Sequence, residues 1–220
     1  MNNLLQKFWE HLGEIVFPHP PGIAQFNTLS ASLLARTATY PWMSRTVRCL
    51  APLPFTHKMV RTAIHASKYH NHLRAAMLLG ETLAPFLAEE LAERRLFGTY
   101  LQPLLAPVPL HPQRMRERGF NQSERIAHAL IREMNDPQVV YAPQILIRTV
   151  NTAHQTRTQN RAKRIANMTH AFDVPDPLLV AGKDIIVLDD VITTGATFNA
   201  VHNALMSAGA REVLCVAIAH

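Results

Sequence analysis

Residues 184–190, Asp-Ile-Ile-Val-Leu-Asp-Asp, form an apolar run that ends in two adjacent carboxylates. A short turn rich in threonine follows, and residues 197–208 then carry a helical apolar pattern closed by Gly209. Residues 212–218, Glu-Val-Leu-Cys-Val-Ala-Ile, make a second apolar run. Continuous apolar runs of this length read as strands buried on both faces, which occur in parallel sheets covered by helices. Strand, turn, helix and strand in that order predict a βαβ unit, and so an α/β fold. Upstream, residues 104–110 (Leu-Leu-Ala-Pro-Val-Pro-Leu) and 144–150 (Gln-Ile-Leu-Ile-Arg-Thr-Val) read as further strands.

The turn carries the chemistry. Thr193, Thr194, Gly195, Ala196 and Thr197 can aim backbone N–H groups and hydroxyls at one point. That point lies at a helix N-terminus, whose partial positive charge favours a phosphate. Gly195 permits close backbone approach and unusual dihedrals. Asp189 and Asp190 are placed to accept hydrogen bonds from two neighbouring sugar hydroxyls. A twin acid followed directly by a phosphate cradle describes a site for ribose 5-phosphate. The plainer alternative, acids that merely cap the next helix, needs one carboxylate rather than two plus Thr-Thr-Gly.

The rest of the chain frames that unit. Residues 58–97 read as two helices separated near Lys68-Tyr69-His70-Asn71, with Pro85 as a cap or break in the second. Asn121 followed three residues later by Glu124 resembles a capping box, and Ile126, Ala127, Leu130, Ile131 and Met134 supply the stripe of the helix it opens. Leu4, Leu5, Phe8, Trp9, Leu12, Ile15 and Val16 recur at helical spacing ahead of Pro18. We therefore expect residues 1–57 to be a small helical or irregular extension and residues 58–220 the main domain.

Of 220 residues, 48% are hydrophobic, enough for one good core. No uninterrupted apolar run is long enough to span a membrane, and the N-terminus lacks the basic start and small-residue cleavage site of a signal peptide. The expectation is a soluble cytoplasmic protein. Its two cysteines, Cys49 and Cys215, build no disulfide framework, and their separation in sequence gives no reason to pair them. The net charge of +6 is uneven: residues 111–170 hold 10 Lys and Arg against 4 Asp and Glu, whereas residues 171–220 hold 2 against 6. A basic middle suits a polyanion such as nucleic acid or pyrophosphate. Arg114, Arg116 and Arg118 alternate after a strand end and, in extended geometry, would point to one side, toward an anion. Arg157, Arg161, Lys163 and Arg164 suit a hood over the site, a nucleic-acid contact, or a solvated basic face. Phe120 beside Gly119 reads as a packing anchor rather than a base-stacking platform.

The segment Val-Leu-Asp-Asp-Val-Ile-Thr-Thr-Gly-Ala-Thr (187–197) resembles the phosphoribosyl diphosphate (PRPP) motif of type I phosphoribosyltransferases. Residues 106–125 and 155–167, with Gln155, Arg161, Arg164 and Asn167 in the latter, and Ser67-Lys68-Tyr69 are similar to the signatures of the ComF/GntX (ComFC-like) branch, which is tied to DNA uptake in natural transformation. The resemblance covers residues 60–220. It implies a type I phosphoribosyltransferase-like parallel sheet flanked by helices, with a flexible hood. It implies that Asp189 and Asp190 hold the ribose 2- and 3-hydroxyls, as the catalytic and binding pair, and that Thr193, Thr194, Gly195, Ala196 and Thr197 hold the 5-phosphate. Lys68, Arg114, Arg116, Arg118, Arg161 and Arg164 are then the pyrophosphate and hood candidates. Mg²⁺ would arrive with PRPP, and single-stranded DNA or DNA-uptake proteins become the expected partners.

ComF-type proteins usually carry an N-terminal four-cysteine zinc module, and this sequence has no Cys-x-x-Cys. Cys49, with His11, His19 and His57 nearby, lacks the paired short spacing of a structural zinc site, so no metal ligands are assigned. We expect a degenerate module resting on Trp9, Phe17, Phe26, Trp42 and Phe55. Three functions compete: a ComF-type PRPP-binding protein of DNA uptake with an unassigned transferase acceptor, a nucleobase-salvage phosphoribosyltransferase, and a non-catalytic PRPP-sensing nucleic-acid-binding module.

Overall fold

A computed structural model of the chain describes residues 29–39, 49–69, 72–150 and 171–220, with the side chain of Tyr69 excepted. The expected N-terminal helix and its aromatic anchors Trp9, Phe17, Phe26 and Trp42 lie outside the described residues, as do Gln155, Arg157, Arg161, Lys163, Arg164 and Asn167.

The described chain forms helix α1 (Ala31–Ala35), strand β1 (Cys49–Leu50), helices α2 (Lys58–Tyr69) and α3 (Leu73–Leu96), strand β2 (Leu104–Pro107), helices α4 (Pro112–Arg118) and α5 (Gln122–Met134), and strand β3 (Val140–Tyr141). Strands β4 (Ile147–Arg148), β5 (Phe172–Asp173) and β6 (Asp184–Val191), helix α6 (Ala196–Ser207) and strand β7 (Glu212–Ala219) complete it. Five strands form one sheet in the order β1-β7-β6-β2-β3. Every pairing in it is parallel, with Leu104 opposite Ile185 and Asp184 opposite Glu212 setting the register. This is the expected α/β architecture, and the sheet also takes in Cys49 and Leu50, ahead of residue 58.

The central strands are buried on both faces, which explains their unbroken apolar sequence. Ile186, Leu188, Leu214 and Val216 pack toward α2, α3 and α5. Ile185, Val187, Val213 and Cys215 pack on the other side against Phe198, Val201 and Leu205 of α6. On the first side α3 and α5 approach closely at Gly80, where a Cβ would sit 2.6 Å from that of Ala129. Phe55 belongs to this core and stacks on His65, with ring centroids 6.3 Å apart.

Four expectations need correction. Pro85 neither caps nor breaks α3, which runs through it. Pro85 is exposed, on the outer side of the helix, while the buried stripe Leu83-Leu87-Leu91 continues beneath. Residues 144–150 do not join the main sheet. Pro143 starts a 3₁₀ turn that buries Ile145 and Leu146, and only Ile147–Arg148 pair, antiparallel, with Phe172–Asp173. The place beside β2 goes to Val140–Tyr141. Residues 112–118 are helical, not extended: His111 caps the helix through its ring, Pro112 occupies the first turn, and Gly119 ends it at φ 80°. Lastly, Cys49 and Cys215, far apart in sequence, lie directly opposite each other across β1 and β7.

Candidate functional site

The site lies where ligands collect in open α/β sheets, outside the carboxyl ends of the parallel strands. There β6 leads through residues 192–195 into α6, and neighbouring β2 leads through residues 108–111 into α4. Val108 donates its N–H to the Leu188 carbonyl at 2.8 Å, and Ile192 donates to Ala219 at 2.9 Å, so both loops leave the sheet from fixed points.

Gly195 takes a left-handed conformation (φ 74°) and caps α6 without a side-chain bond. Thr193 and Thr194 are exposed, and Ala196 and Thr197 are half-buried. Thr194 Oγ1 accepts from the Ala196 N–H at 3.4 Å, a long contact that orients the hydroxyl over the first turn of the helix. The turn is thus open to solvent at a helix N-terminus, the arrangement an anion needs.

Both aspartates are held by the first turn of α5. Asp189 Oδ1 accepts from Ser123 Oγ at 3.0 Å and from the Asp190 N–H at 2.9 Å. Asp190 Oδ1 accepts from the Val191 N–H at 2.9 Å. Its Oδ2 receives Gln122 Nε2 at 3.4 Å and lies 3.0 Å from Lys68 Nζ. Asn121 fixes this turn. Its Oδ1 accepts from the Ser123 N–H at 3.0 Å, and its Nδ2 donates to the Val108 carbonyl at 3.1 Å and to Glu124 at 3.2 Å. The capping box is therefore altered: Glu124 reaches the cap's side chain. Asn121, Gln122 and Ser123 are all buried, so these polar groups are committed to the acids and the loop.

Burial pushes the Asp189 carboxyl up to about 6, and the neighbouring Asp190 charge adds to the rise; Lys68, the Asp190 N–H and Ser123 oppose it. A desolvated acid pair facing a solvent-open turn is the arrangement expected of a ligand site.

Cations ring the pair. Arg118 donates to Gln122, which in turn donates to Asp190. Arg148, stacked 5.3 Å from the Phe172 ring centroid, feels both Asp189 and Arg114, and burial holds its pKa below the usual arginine value. The structure therefore brings Lys68 to Asp190 directly and Arg118 to it through Gln122, while Arg114 is placed only by its electrostatic effect on Arg148. Arg116 is not brought there: it is exposed, and in a helix it cannot share the face on which Arg114 and Arg118, one turn apart, lie. Arg161 and Arg164 lie outside the described residues. Gln122, Ser123 and Arg148 were not singled out from sequence as site residues. Phe120 is buried with the Arg125 guanidinium 3.9 Å over its ring, an anchor as expected.

Among the described residues no group of three metal-ligating side chains converges, and no helix is long and apolar enough to cross a membrane. A cleft lined by Ala31, Ala35, Glu81, Pro85 and Met134 lies on the helical side, away from the acids.

Residues 121–220 match the phosphoribosyl transferase domain family. The DNA utilization protein YhgH of Escherichia coli is 31% identical over 175 residues, which cover 76% of this chain and 73% of that protein. Competence protein ComFC of Streptococcus pneumoniae is 32% identical over 136 residues, covering 62% of this chain and 54% of that one. Among solved structures, a glutamine phosphoribosylpyrophosphate amidotransferase from B. subtilis superposes with a TM-score of 0.43 at 17% identity, covering 70% of this chain and 30% of that chain, a likeness too distant to carry an argument.

Proposed function

This chain belongs to the ComF-like family of proteins with a phosphoribosyltransferase domain, and from that premise we propose that it binds Mg²⁺-complexed PRPP at the end of β6. The carrying observation is the turn at the start of α6, with Thr193 and Thr194 exposed to solvent, following the half-buried Asp189 and the buried Asp190. In this proposal the turn takes the 5-phosphate through backbone N–H groups and threonine hydroxyls. Asp189 and Asp190 accept from the ribose hydroxyls. Arg114, Arg118 and Arg148 offer positive charge to the pyrophosphate. Mg²⁺, carried as part of the substrate complex, would supply charge neutralisation for that pyrophosphate.

The reaction that fits such a complex is displacement of pyrophosphate at ribose C1 by a nitrogen nucleophile, with the protein supplying position and charge stabilisation for the departing group. Lys68 holds Asp190 Oδ2, so a ribose hydroxyl donating to that oxygen would share it with the ammonium. The relatives named for DNA utilization and competence support a role in handling incoming DNA, and the basic segment 111–170 is its expected contact.

Calorimetric titration tests the ligand: PRPP with Mg²⁺ should bind more tightly than ribose 5-phosphate, and pyrophosphate alone should bind weakest. Equal affinity for all three would mean a general anion patch and would overturn the proposal. Salt-dependent binding to single-stranded DNA, with and without PRPP, tests the DNA contact, and absence of affinity at low salt removes it. Pyrophosphate release in the presence of a panel of nucleobases separates a salvage enzyme, which would turn over with one of them, from a ComF-type protein.

A further inference from the structure

Strand β1 is two residues long and, among the described residues, lies at the edge of the sheet, yet it places Cys49 directly opposite Cys215 of β7. Both side chains point to the α6 side, in one cluster with Val187 and Ala217. Aligned residues on neighbouring strands stand about 4.8 Å apart. That separation lies within the Cα range in which a disulfide closes without backbone movement, about 4.4–6.8 Å. The two thiols interact: Cys215 holds the Cys49 thiol below its usual pKa, whereas burial and then Cys49 raise that of Cys215. Accessibility makes Cys49 the attacking sulfur: it is 6% exposed and Cys215 fully buried. These are the chain's only cysteines.

We propose that Cys49 and Cys215 form a reversible dithiol–disulfide site, closed by a small disulfide of the glutathione class. Cys49 thiolate attacks one sulfur of the oxidant, forming a mixed disulfide and releasing one small thiol, which takes up a proton. Cys215 then loses its proton and attacks the Cys49 sulfur, releasing the second small thiol. Two protein thiols are oxidised and one small disulfide is reduced to two thiols. Brief opening of the short edge strand admits the oxidant. The new bond ties β1 to β7, whose Cys215 also pairs in register with Val187, two residues before Asp189 on β6. The site stands independently of the PRPP proposal.

The test exposes the folded full-length chain to oxidised glutathione and follows it by intact mass, peptide mapping and thermal melting. Expected are loss of two hydrogens, a mapped 49–215 link, and a melting midpoint raised by several degrees and restored by dithiothreitol. Cys215→Ser should halt at a glutathione adduct on Cys49, and Cys49→Ser should give neither adduct nor link. Crosslinking no faster than global unfolding, measured by hydrogen exchange on the wild-type chain, would overturn the proposal. So would a Cys49 adduct that never resolves in the wild type, or a link that lowers the midpoint. The wild-type time course decides even where a variant fails to fold.

Discussion

Strand β6 carries buried carboxylates at both ends, and the two ends treat them in opposite ways. At its start Asp184 receives Arg211 in a two-pronged pair, Nε to Oδ1 at 2.6 Å and Nη2 to Oδ2, and the Tyr100 N–H at 2.6 Å. Burial alone would raise the Asp184 pKa, but Arg211 and the Tyr100 N–H hold it below the usual carboxylate range. Arg94 extends this network, stacking 4.6 Å from the Tyr100 ring centroid and pairing with Glu90 and Glu212. At the other end Asp189 has a like charge beside it and a carboxyl pushed up to about 6. At one end opposite charge and a backbone donor settle the Asp184 carboxylate; at the other a like charge keeps Asp189 electrostatically unsettled beside an open turn. An acid lowered by opposite charge holds a fold together, whereas an acid raised by burial and a like charge is what a ligand site is expected to contain.

The comparison can be broken from either side. Replacing both acids at the Asp189 end (Asp189→Asn with Asp190→Asn) should weaken Mg²⁺-PRPP binding at least about 100-fold without lowering the melting midpoint, because charge aimed at the ligand is lost while the core stays intact. Calorimetry and thermal melting on the same sample check both halves. Asp184→Ala should do the reverse, lowering stability by about 2 kcal/mol because the Tyr100 N–H and Arg211 lose their partner, and leaving PRPP affinity intact wherever the chain is folded. Urea unfolding measures that loss, and an affinity that falls along with stability would blur the distinction between the ends.

The third prediction concerns pH. The folded Asp189 pKa lies above its unfolded value, so the acid destabilises the fold once ionised. The penalty is absent below about pH 4, grows between about pH 4 and about pH 6, and is constant above. Asp189→Asn should therefore raise stability by about 1–2 kcal/mol near pH 7.5 and by nothing near pH 4, as read from melting curves across that range. In the wild-type chain, NMR of the Asp189 carboxyl should show a midpoint near 6, moving down in Asp190→Asn. The smallest effect separates two arginines of α4: Arg118→Ala should lower PRPP affinity about 5–10-fold and Arg116→Ala less than about 2-fold. Equal effects would mean that α4 acts only through its bulk charge.

The ligand end was the more legible of the two in sequence. Apolar runs, twin aspartates and a glycine-threonine turn are contiguous, so their local order alone placed β6, the turn and α6. Gln122 and Ser123 were hidden because they reach β6 across more than 60 residues of sequence, and the helix-capping pattern at Asn121 already accounted for their segment. Alternation groups Arg116 with Arg114 and Arg118 only if the chain is extended. Pro112 and Gly119, the start and stop of a short helix, were the overlooked signal. Arg148 was obscured because residues 144–150 looked like a central strand, when Pro143 turns the chain away from the sheet. The pairing of Cys49 with Cys215 depends on the register of strands at opposite ends of the chain, which no local pattern encodes.

Amide chemical shifts, followed as PRPP and Mg²⁺ are added to the isotope-labelled chain, probe the contrast between the ends most directly. The largest changes should fall on residues 193–197 and on Asp189 and Asp190, while Asp184, Tyr100 and Arg211 stay still. Changes centred on the Asp184 end, or none along the threonine turn at saturating ligand, would contradict the assignment of that turn as the sugar-phosphate site.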